Sequence, residues 1–154
     1  MSEPLATQVT VVDPDVPRAA TVQRVITEVA VGILINAAGQ FLLTTRPIGK
    51  VYAGYWEFPG GKLEANETVI EALRRELNEE IGVVIQDAQL WRSTVMDYPH
   101  ALVRLHFCKV TAWSGELQMH EQQTHAWQHL PVQVSPILAG ALPVLEWLAA
   151  EQNR

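Results

Sequence analysis

The sequence predicts an α+β fold built as one domain around one hydrophobic core. The chain has 154 residues, of which 48% are hydrophobic, and this is enough apolar surface for a globular core. Apolar runs of strand-like composition are interspersed with two stretches of helical spacing. The sequence contains no internal repeat and no low-complexity tract. We therefore divide it into an N-terminal arm or linker at residues 1–22 and a folded domain at residues 23–154.

The N-terminal arm is set apart by its prolines. Pro4, Pro14 and Pro17 lie among scattered acidic residues. Proline lacks a backbone N–H donor and biases the residue before it away from helix. We predict an extended segment that runs along the domain or along a neighbouring subunit.

Two strand-like segments open the domain. Glu28–Ile35 is β-branched and nearly all apolar, which is typical of a central strand. Asn36–Gly39 has turn chemistry, and Gln40–Arg46 follows as a returning strand. We predict that the two strands pair as a hairpin.

The middle of the chain predicts a helix that follows a glycine turn. Glu57–Phe58 forms a short strand, which Pro59-Gly60-Gly61 ends. Glu67–Ile81 has helical periodicity, and Gly82 supplies a typical C-terminal stop.

The second half of the chain predicts three more strands and a final helix. Val83–Asp97 and Ala101–Trp113 are strands on either side of the turn Tyr98-Pro99-His100, and His125–Leu130 is a short strand. A final amphipathic helix begins at Ser135 or Pro136. Its apolar residues at helical spacing are Leu138, Leu142, Leu145 and Leu148.

Charge and cysteine content exclude several classes of function. The formal net charge is -6, whereas a nonspecific binder of DNA or RNA needs a basic face, so we expect no nucleic-acid polymer as partner. The single cysteine, Cys108, allows no disulfide within the chain; we expect a buried inert thiol and a reducing, cytoplasmic compartment. The N-terminus lacks the pattern of a secretory signal, and no apolar run reaches the roughly 18 residues of a membrane span.

The predicted middle helix carries three glutamates in an unusual position. At 3.6 residues per turn, Glu76, Glu79 and Glu80 share a sector that borders the apolar stripe. The apolar stripe consists of Ile70, Leu73, Leu77 and Ile81. The solvated face consists of Glu67, Glu71, Arg74, Arg75 and Asn78, with a Glu71–Arg75 pair. No lysine or arginine lies in the sector of the three glutamates, and each like-charge pair at this spacing costs about 0.2–0.5 kcal/mol.

A metal site and a solvated acidic face both explain this sector. Hard divalent cations prefer carboxylate oxygens, and Mg²⁺ combines a few of them with water and substrate phosphate. The glycines at positions 60 and 61 favour the metal interpretation, because two glycines after a proline suit backbone that approaches a ligand closely.

The same residues carry a resemblance to a known family. Gly61, Glu67 and the run Arg75–Val83 fill every defining position of the Nudix box. The preceding Trp56–Lys62, which reads WEFPGGK, resembles the MutT-like branch of that superfamily. The resemblance covers roughly residues 24–150. It implies a Nudix-type α/β/α sandwich with a mixed β-sheet and a loop–helix–loop catalytic motif.

The resemblance also implies roles for individual residues. It makes Glu76, Glu79 and Glu80 ligands of Mg²⁺, for which Mn²⁺ substitutes, together with the Gly60 carbonyl. Arg75 is expected to orient these carboxylates, and Glu67 to form an ion pair with Arg75. Gly61 and Gly82 are structural positions of the motif, and Lys62 is a candidate phosphate contact. Glu121 precedes Trp127 by six residues. The family has a later acid, a metal ligand or catalytic base, at the same spacing before a tryptophan, so the resemblance implies this role for Glu121.

The implied activity is hydrolysis of a nucleoside triphosphate to the monophosphate and pyrophosphate. Ala141, before Pro143-Val144-Leu145, occupies the place of the asparagine that reads 8-oxo-guanine in MutT proteins. Alanine has no donor or acceptor, so the choice among 8-oxo-dGTP and other nucleotides stays open. One alternative is a hydrolase of ADP-ribose-like diphosphates, and another is a noncatalytic nucleotide-sensing module. The complete set of acids in the box favours catalysis, and monomer and homodimer both remain open.

Other residues invite a binding role by their chemistry alone. Trp56 and Trp127 suit stacking on a base, although a place in the core or at its rim explains them as well. Zinc ligation by His120, His125 and His129 is disfavoured, because their spacings of five and four fit zinc poorly and no cysteine lies nearby.

Overall fold

A computed structural model describes residues 9–18 and 24–153, and it has the predicted α+β architecture. The strands are β1 (Val9–Val11), β2 (Ile26–Leu34), β3 (Phe41–Thr45), β4 (Trp56–Glu57), β5 (Gly60–Lys62), β6 (Val84–Asp97), β7 (Leu102–Ser114) and β8 (His125–Gln128). The helices are α1 (Val69–Ile81) and α2 (Leu142–Gln152). Within residues 9–18 and 24–153, no helix is both long and apolar enough to cross a membrane.

The strands form two sheets. The larger sheet has the order β1-β6-β7-β2-β5, and the smaller has the order β4-β3-β8. The larger sheet is mixed, because β6 and β7 pair antiparallel around the predicted turn at residues 98–100, whereas β7 and β2 pair parallel. This confirms the predicted mixed sheet.

The central strand has a helix on each side. Ala30 and Leu34 of β2 pack with Leu73 and Leu77 of α1. The alternating residue Ile33 packs on the other face, in the cluster that contains Val144 and Leu148 of α2. Because successive side chains of a strand point to opposite faces, one apolar strand supplies both cores. The result is the predicted α/β/α sandwich.

The predicted hairpin between β2 and β3 is wrong. The two strands share a single antiparallel bridge, Ile35 to Phe41, and then belong to different sheets. Both edges of β2 are already paired, one with β7 and one with β5. β7 occupies one edge along the whole of β2, and β5 occupies Val29–Val31 of the other, so the returning strand leaves β2 after one bridge and starts the second sheet.

The glycine segment forms a β-strand, where the sequence predicts only a turn. Gly60–Lys62 does not only end the preceding strand: it pairs antiparallel with β2 as β5. A Cβ atom on Gly60 would lie 2.0 Å from the Ala30 carbonyl oxygen. Only glycine allows the backbone to approach β2 so closely, and this is why a strand forms from residues that usually mark a loop.

Helix α1 begins at Val69, two residues later than predicted. Thr68 is the N-cap, and it forms a capping box with Glu71: each side chain accepts a hydrogen bond from the other's backbone N–H. Glu71 is therefore used in the cap, and the predicted Glu71–Arg75 pair does not form. The helix ends as predicted at Gly82, which has the left-handed φ of 73° that favours glycine.

Helix α2 begins at Leu142, later than the predicted Ser135 or Pro136. The segment before it pairs with β4, through Trp56 N–H to the Pro136 carbonyl and Leu138 N–H to the Trp56 carbonyl. A 3-10 turn at Ala139–Ala141 leads into the helix. Leu142, predicted to lie in the apolar stripe, is 48% exposed.

Two further predictions concern Cys108 and the N-terminal arm. Cys108 on β7 is fully buried as predicted, and burial raises the pKa of its thiol to about 11. In the N-terminal arm, β1 runs parallel to β6, with Val9 opposite Val95. Residues 1–8 and 19–23 lie outside the described part of the chain, so the division at residue 22 stays a prediction.

Candidate active site

A cavity of about 760 Å³ is lined by residues of both sheets, of α1 and of the loops around them. Two groups of side chains stand out among its lining residues. The acidic wall consists of Glu57, Glu76, Glu79, Glu80 and Glu121. The aromatic wall consists of Tyr52, Tyr98 and His100. The sequence predicts four of the five acids of the acidic wall as site residues.

Glu80 is a half-buried carboxylate of the acidic wall. Burial, followed by the neighbouring charges of Glu76, Glu121 and Glu57, raises its pKa to about 8. Among residues 9–18 and 24–153, no cation forms an ion pair with Glu80, whereas Glu76 and Glu79 both have one. A buried acid without a cation disfavours its own ionised form. The site therefore favours a positive charge beside Glu80.

Arg75 is the cation that the other two helix glutamates share. Its guanidinium lies 2.9 Å from Glu76 Oε1 and 3.4 Å from Glu79 Oε2. This corrects the prediction that no basic residue offsets the glutamate sector: the long arginine side chain reaches across from the adjoining face. It also donates to the Lys62 carbonyl at 3.0 Å, which ties α1 to β5.

Glu67 holds Arg75 from the other side, so the ion pair that the resemblance implies is present. Arg75 Nε and Nη2 each donate to one oxygen of the Glu67 carboxylate at 2.8 Å. These bonds, with the Glu64 backbone N–H, lower the pKa of Glu67 to about 2. Glu67 lies before the helix and not in its first turn, so its partner is the arginine and not the helix dipole.

Gly61 lets Glu76 lie directly against the backbone of β5. A Cβ atom at position 61 would be 2.2 Å from Glu76 Cδ and 2.4 Å from Glu76 Oε2. Any side chain there would displace the carboxylate. The box glycine is therefore a steric requirement for the position of Glu76.

The loop between β7 and β8 brings Glu121 to the cavity. Gln118 N–H donates to the Ile81 carbonyl at 2.9 Å, and His120 N–H to the Glu80 carbonyl at 3.0 Å. His120 Nδ1 lies 2.7 Å from the Glu79 carbonyl oxygen. The loop thus occupies the last carbonyls of α1, which would otherwise lack partners. His120 thus contacts the end of α1, and the absence of a zinc site stays a prediction.

Three charged residues of the cavity, Glu57, Arg46 and Lys50, are not predicted as site residues from the sequence. Glu57 lines the cavity next to Glu80, and burial raises its pKa. Arg46, from the end of β3, pairs with Glu57 at 3.1 Å. The strand alternation offers a signal for Glu57, because it follows Trp56 directly and must point to the opposite face.

Trp56 takes the other face and packs against the α2 core cluster. It is not among the residues that line the cavity, and its role as a substrate contact stays a prediction. Trp127 likewise stacks on Trp113, with ring centroids 6.0 Å apart. Lys62 and Ala141 do line the cavity, Lys62 exposed and Ala141 buried.

The acidic wall has the chemistry that a hard divalent cation prefers. Its ligating atoms are carboxylate oxygens, and the Gly60 backbone lines the same cavity. In the part of the chain that the structure describes, no three acidic, histidine or cysteine side chains already converge in a metal-binding arrangement. Arg75 forms ion pairs with two of the helix carboxylates, Glu76 and Glu79. The raised pKa of Glu80 shows where the cluster lacks positive charge.

Comparison with known proteins gives a consistent result. The family model described as NUDIX domain matches residues 26–148. The 8-oxo-dGTP diphosphatase of Haemophilus influenzae is 43% identical over 102 residues, which are 66% of this chain and 75% of that protein. The CTP pyrophosphohydrolase of Escherichia coli is 34% identical over 117 residues, covering 75% of this chain and 87% of that one.

Solved structures agree with the sequence comparison. A structure from a study of MutT from Aliivibrio salmonicida and Vibrio cholerae has a TM-score of 0.67 and 29% identity, covering 82% of this chain and 99% of that one. The MutT protein of Methanosarcina mazei has a TM-score of 0.77, covering 87% of this chain and 100% of that one. Its identity is 20%, so it supports the fold alone.

Proposed function

The chain belongs to the Nudix family, and from this premise we propose that it hydrolyses a nucleoside triphosphate to the monophosphate and pyrophosphate. It is a MutT-like pyrophosphohydrolase. The dependence on a divalent cation, the residues that perform the reaction and the nucleotide are parts of the proposal. Mg²⁺ is the proposed cation, and Mn²⁺ substitutes for it.

The observation that carries the proposal is the position of Glu80 among four other glutamates. Burial and three neighbouring acids raise the pKa of Glu80 to about 8, and it has no basic partner among the described residues. The ionised form of Glu80 is destabilised in this arrangement until a cation is bound. A polyphosphate binds a divalent cation through its own oxygens, so the cation can bridge the carboxylates and the substrate. An acidic protein can in this way bind an anionic substrate.

Each residue of the acidic wall has a proposed task. Glu76, Glu79 and Glu80 hold the cation, with the Gly60 carbonyl and Glu121 as further ligands. A bound divalent cation neutralises phosphate oxygens and lowers the pKa of water. Arg75 is a positioning residue, because it fixes the carboxylates of Glu76 and Glu79 and is not among the residues that line the cavity.

The hydrolysis step requires a base and an in-line water. A carboxylate of the acidic wall, Glu80 or Glu121, accepts the proton as the water oxygen bonds to phosphorus. The bond from that phosphorus to the bridging oxygen breaks, and pyrophosphate and the monophosphate are the two products. Lys62 and Arg46 are cations that line the same cavity, and we assign them to the phosphate oxygens.

The proposed substrates are 8-oxo-dGTP or another nucleoside triphosphate. The relatives' names include both an 8-oxo-dGTP diphosphatase and a CTP pyrophosphohydrolase. Ala141 lines the cavity but offers no side-chain donor or acceptor for the edge of a base. Base selection in this chain therefore depends on other residues of the cavity.

A substrate panel with and without Mg²⁺ tests the proposal. We expect pyrophosphate release from at least one nucleoside triphosphate only when Mg²⁺ or Mn²⁺ is present. Glu80→Gln and Glu79→Gln should each lower kcat on the order of 10²-fold or more, because an amide cannot replace a carboxylate at a divalent cation.

Glu146→Gln is the matched control, since Glu146 is exposed on α2 and outside the cavity lining. It should leave kcat unchanged, and circular dichroism should show that all three variants are folded. Full activity of Glu80→Gln would contradict the proposed site. Hydrolysis of ADP-ribose but of no triphosphate would contradict the proposed substrate class.

A further inference from the structure

The aromatic wall is built from rings that contact one another. The centroids of Tyr52 and Tyr98 are 5.7 Å apart, those of Tyr52 and His100 are 5.9 Å apart, and those of Tyr98 and His100 are 5.3 Å apart. Tyr98 Oη accepts a hydrogen bond from Gly140 N–H at 3.3 Å, which fixes this ring next to Ala141. The three rings thus form one surface of the cavity.

The aromatic residues that line the cavity differ in how much of their side chain is solvent-exposed and can contact a ligand. Phe58, Phe107 and Tyr98 are 4%, 1% and 6% exposed. Tyr52 is half-buried and His100 is exposed. Among the aromatic residues that line the cavity, Tyr52 and His100 are therefore the ones with ring surface for a planar ligand to contact.

Tyr52 is held in place by a residue from outside the family's domain. Its hydroxyl donates to Asp13 Oδ2 at 2.8 Å, and the family match begins only at residue 26. The backbone φ of Tyr52 is 61°, which is unfavourable for a bulky side chain and persists only where surrounding contacts impose it. The bond to Asp13 is one such contact.

The segment that carries Asp13 is itself anchored to the β6–β7 hairpin. β1 pairs with β6, and Val12 N–H donates to the Asp97 carbonyl at 2.9 Å. Arg18 Nη2 donates to the carbonyls of Val12 at 2.6 Å and of Asp97 at 3.1 Å. These bonds fix the segment next to Tyr98, the following residue of the hairpin.

A small apolar cluster joins the same parts. Met96, Tyr98 and Leu138 are its buried residues, and Val12, Tyr52 and Tyr55 pack against it. The N-terminal segment, the loop before β4, the hairpin and the approach to α2 thus meet at the aromatic wall. The N-terminal segment contributes Val12 to this apolar cluster and Asp13 as the hydrogen-bond acceptor of Tyr52.

We propose that Tyr52 contacts the nucleobase of the substrate and that Asp13, in the N-terminal segment, is a positioning residue for its ring. This rests on the proposed function, since it requires a substrate with a planar base as well as a polyphosphate. The acidic wall takes the cation and the phosphates. The base then lies against the aromatic wall, where stacking on a ring tolerates different bases.

The test compares substrates with and without a base. Tyr52→Phe keeps the ring and removes the hydroxyl, and Asp13→Ala removes the acceptor. Loss of this one hydrogen bond to a charged group should raise KM for the preferred nucleoside triphosphate about tenfold and leave kcat within about twofold. Deoxyribose 5-triphosphate, which lacks a base, should show the same KM with the variants as with the wild type.

Two further variants make the comparison specific. Asp13→Asn retains an oxygen that accepts from the Tyr52 hydroxyl, and it should recover most of the loss seen with Asp13→Ala. Asp15→Ala removes a neighbouring acid of the same segment that lines no part of the cavity, and it should behave as the wild type. The double variant Asp13→Ala/Tyr52→Phe should be no worse than either single variant, because both remove the same bond.

The outcomes separate this inference from the proposed function. Unchanged KM in Asp13→Ala and Tyr52→Phe, or an equal rise with the base-free triphosphate, would overturn the inference while leaving the activity established. If the wild type hydrolyses no nucleoside triphosphate, the proposed function fails. The same variants are then compared by their affinity for a nucleoside monophosphate, which requires no turnover, and equal affinities would overturn the inference.

Discussion

Glu80 and Glu67 show how position decides the behaviour of one residue type. Burial and neighbouring acids raise the pKa of Glu80 to about 8, whereas two bonds from Arg75 lower that of Glu67 to about 2. Both belong to the same motif. Glu67 is ionised at neutral pH without help and stabilises Arg75, whereas Glu80 requires a cation to be fully ionised.

Glu67 gives a prediction for the pH dependence of stability. Its pKa is lower in the folded protein than the ordinary value of 4.5, so its contribution to stability is present above pH 4.5 and is lost as pH falls toward 2. Glu67→Gln should therefore lower the urea midpoint at pH 7. The difference from the wild type should shrink between pH 4.5 and 2.

Urea unfolding between pH 7 and about pH 3 measures this difference. Glu116→Gln is the control, because Glu116 is exposed in the loop after β7. A difference for Glu67→Gln that stays constant down to pH 3, or none at pH 7, would contradict the assigned ion pair.

At the scale of residues, the sequence predicts charges better than it predicts the directions of side chains. The spacing of Glu76, Glu79 and Glu80 is enough to identify the helix acids of the site. Alternation along β4 indicates that Trp56 and Glu57 face opposite sides, but a two-residue strand does not show which of them faces the cavity. The Arg46–Glu57 pair joins the residue that follows β3 to a residue of the neighbouring strand β4, and their distance follows only from the pairing of these strands.

At the scale of elements, the close contact between α1 and β5 determines the shape of the acidic wall. Gly61 allows this contact, since Glu76 Cδ would lie 2.2 Å from a Cβ atom at that position. The guanidinium of Arg75 adds a bond from α1 to the Lys62 carbonyl. The strand thus sets the position of the helix carboxylate as much as the helix does.

Gly61→Ala tests this contact. The added methyl group must displace the Glu76 carboxylate, so kcat/KM should fall at least about tenfold, as it does when a group supporting metal ligands is lost. Gly39→Ala is the contrasting variant: its φ of 79° strains alanine, but no atom lies within 4 Å of the added Cβ. It should lower the melting temperature without lowering kcat/KM.

Melting curves and steady-state kinetics on both variants distinguish a loss of stability from a loss of activity. Normal kinetics for Gly61→Ala would contradict the steric role. A parallel loss of activity in Gly39→Ala would show that stability alone explains the effect.

Hydrophobic periodicity and capping residues predict the elements that have them. They do not predict elements that form only by hydrogen bonding to a distant segment of the chain. The strands β6 and β7 and the end of α1 at Gly82 follow from the sequence. The sequence does not predict β5, because its residues, Gly60–Lys62, have turn chemistry and become a strand only through β2. It predicts too early a start for α2, because residues 136–138 bond to β4, which no local pattern reveals.

At the scale of the whole molecule, one cavity brings together residues from distant parts of the chain. The acids come from β4, α1 and the loop before β8, and the aromatic wall comes from the loop before β4 and from the β6–β7 turn. With a net charge of -6, contact with an anionic substrate requires local positive charge, which a bound cation or basic residues of the cavity such as Arg46 and Lys62 supply. Composition alone argues against nucleic-acid polymers as partners. The combination of the acidic wall and the aromatic wall in one cavity becomes apparent only from the fold.

The central claim is that the acidic wall binds a divalent cation together with a nucleotide, and paramagnetic broadening by Mn²⁺ tests it most directly. With a nonhydrolysable nucleotide present, substoichiometric Mn²⁺ should broaden the amide NMR signals of Gly60, Glu76, Glu80 and Glu121 first. Glu80→Gln should shift this broadening to higher Mn²⁺ concentration. Broadening spread evenly over surface acids such as Glu116 and Glu146, and unchanged in Glu80→Gln, would contradict the claim.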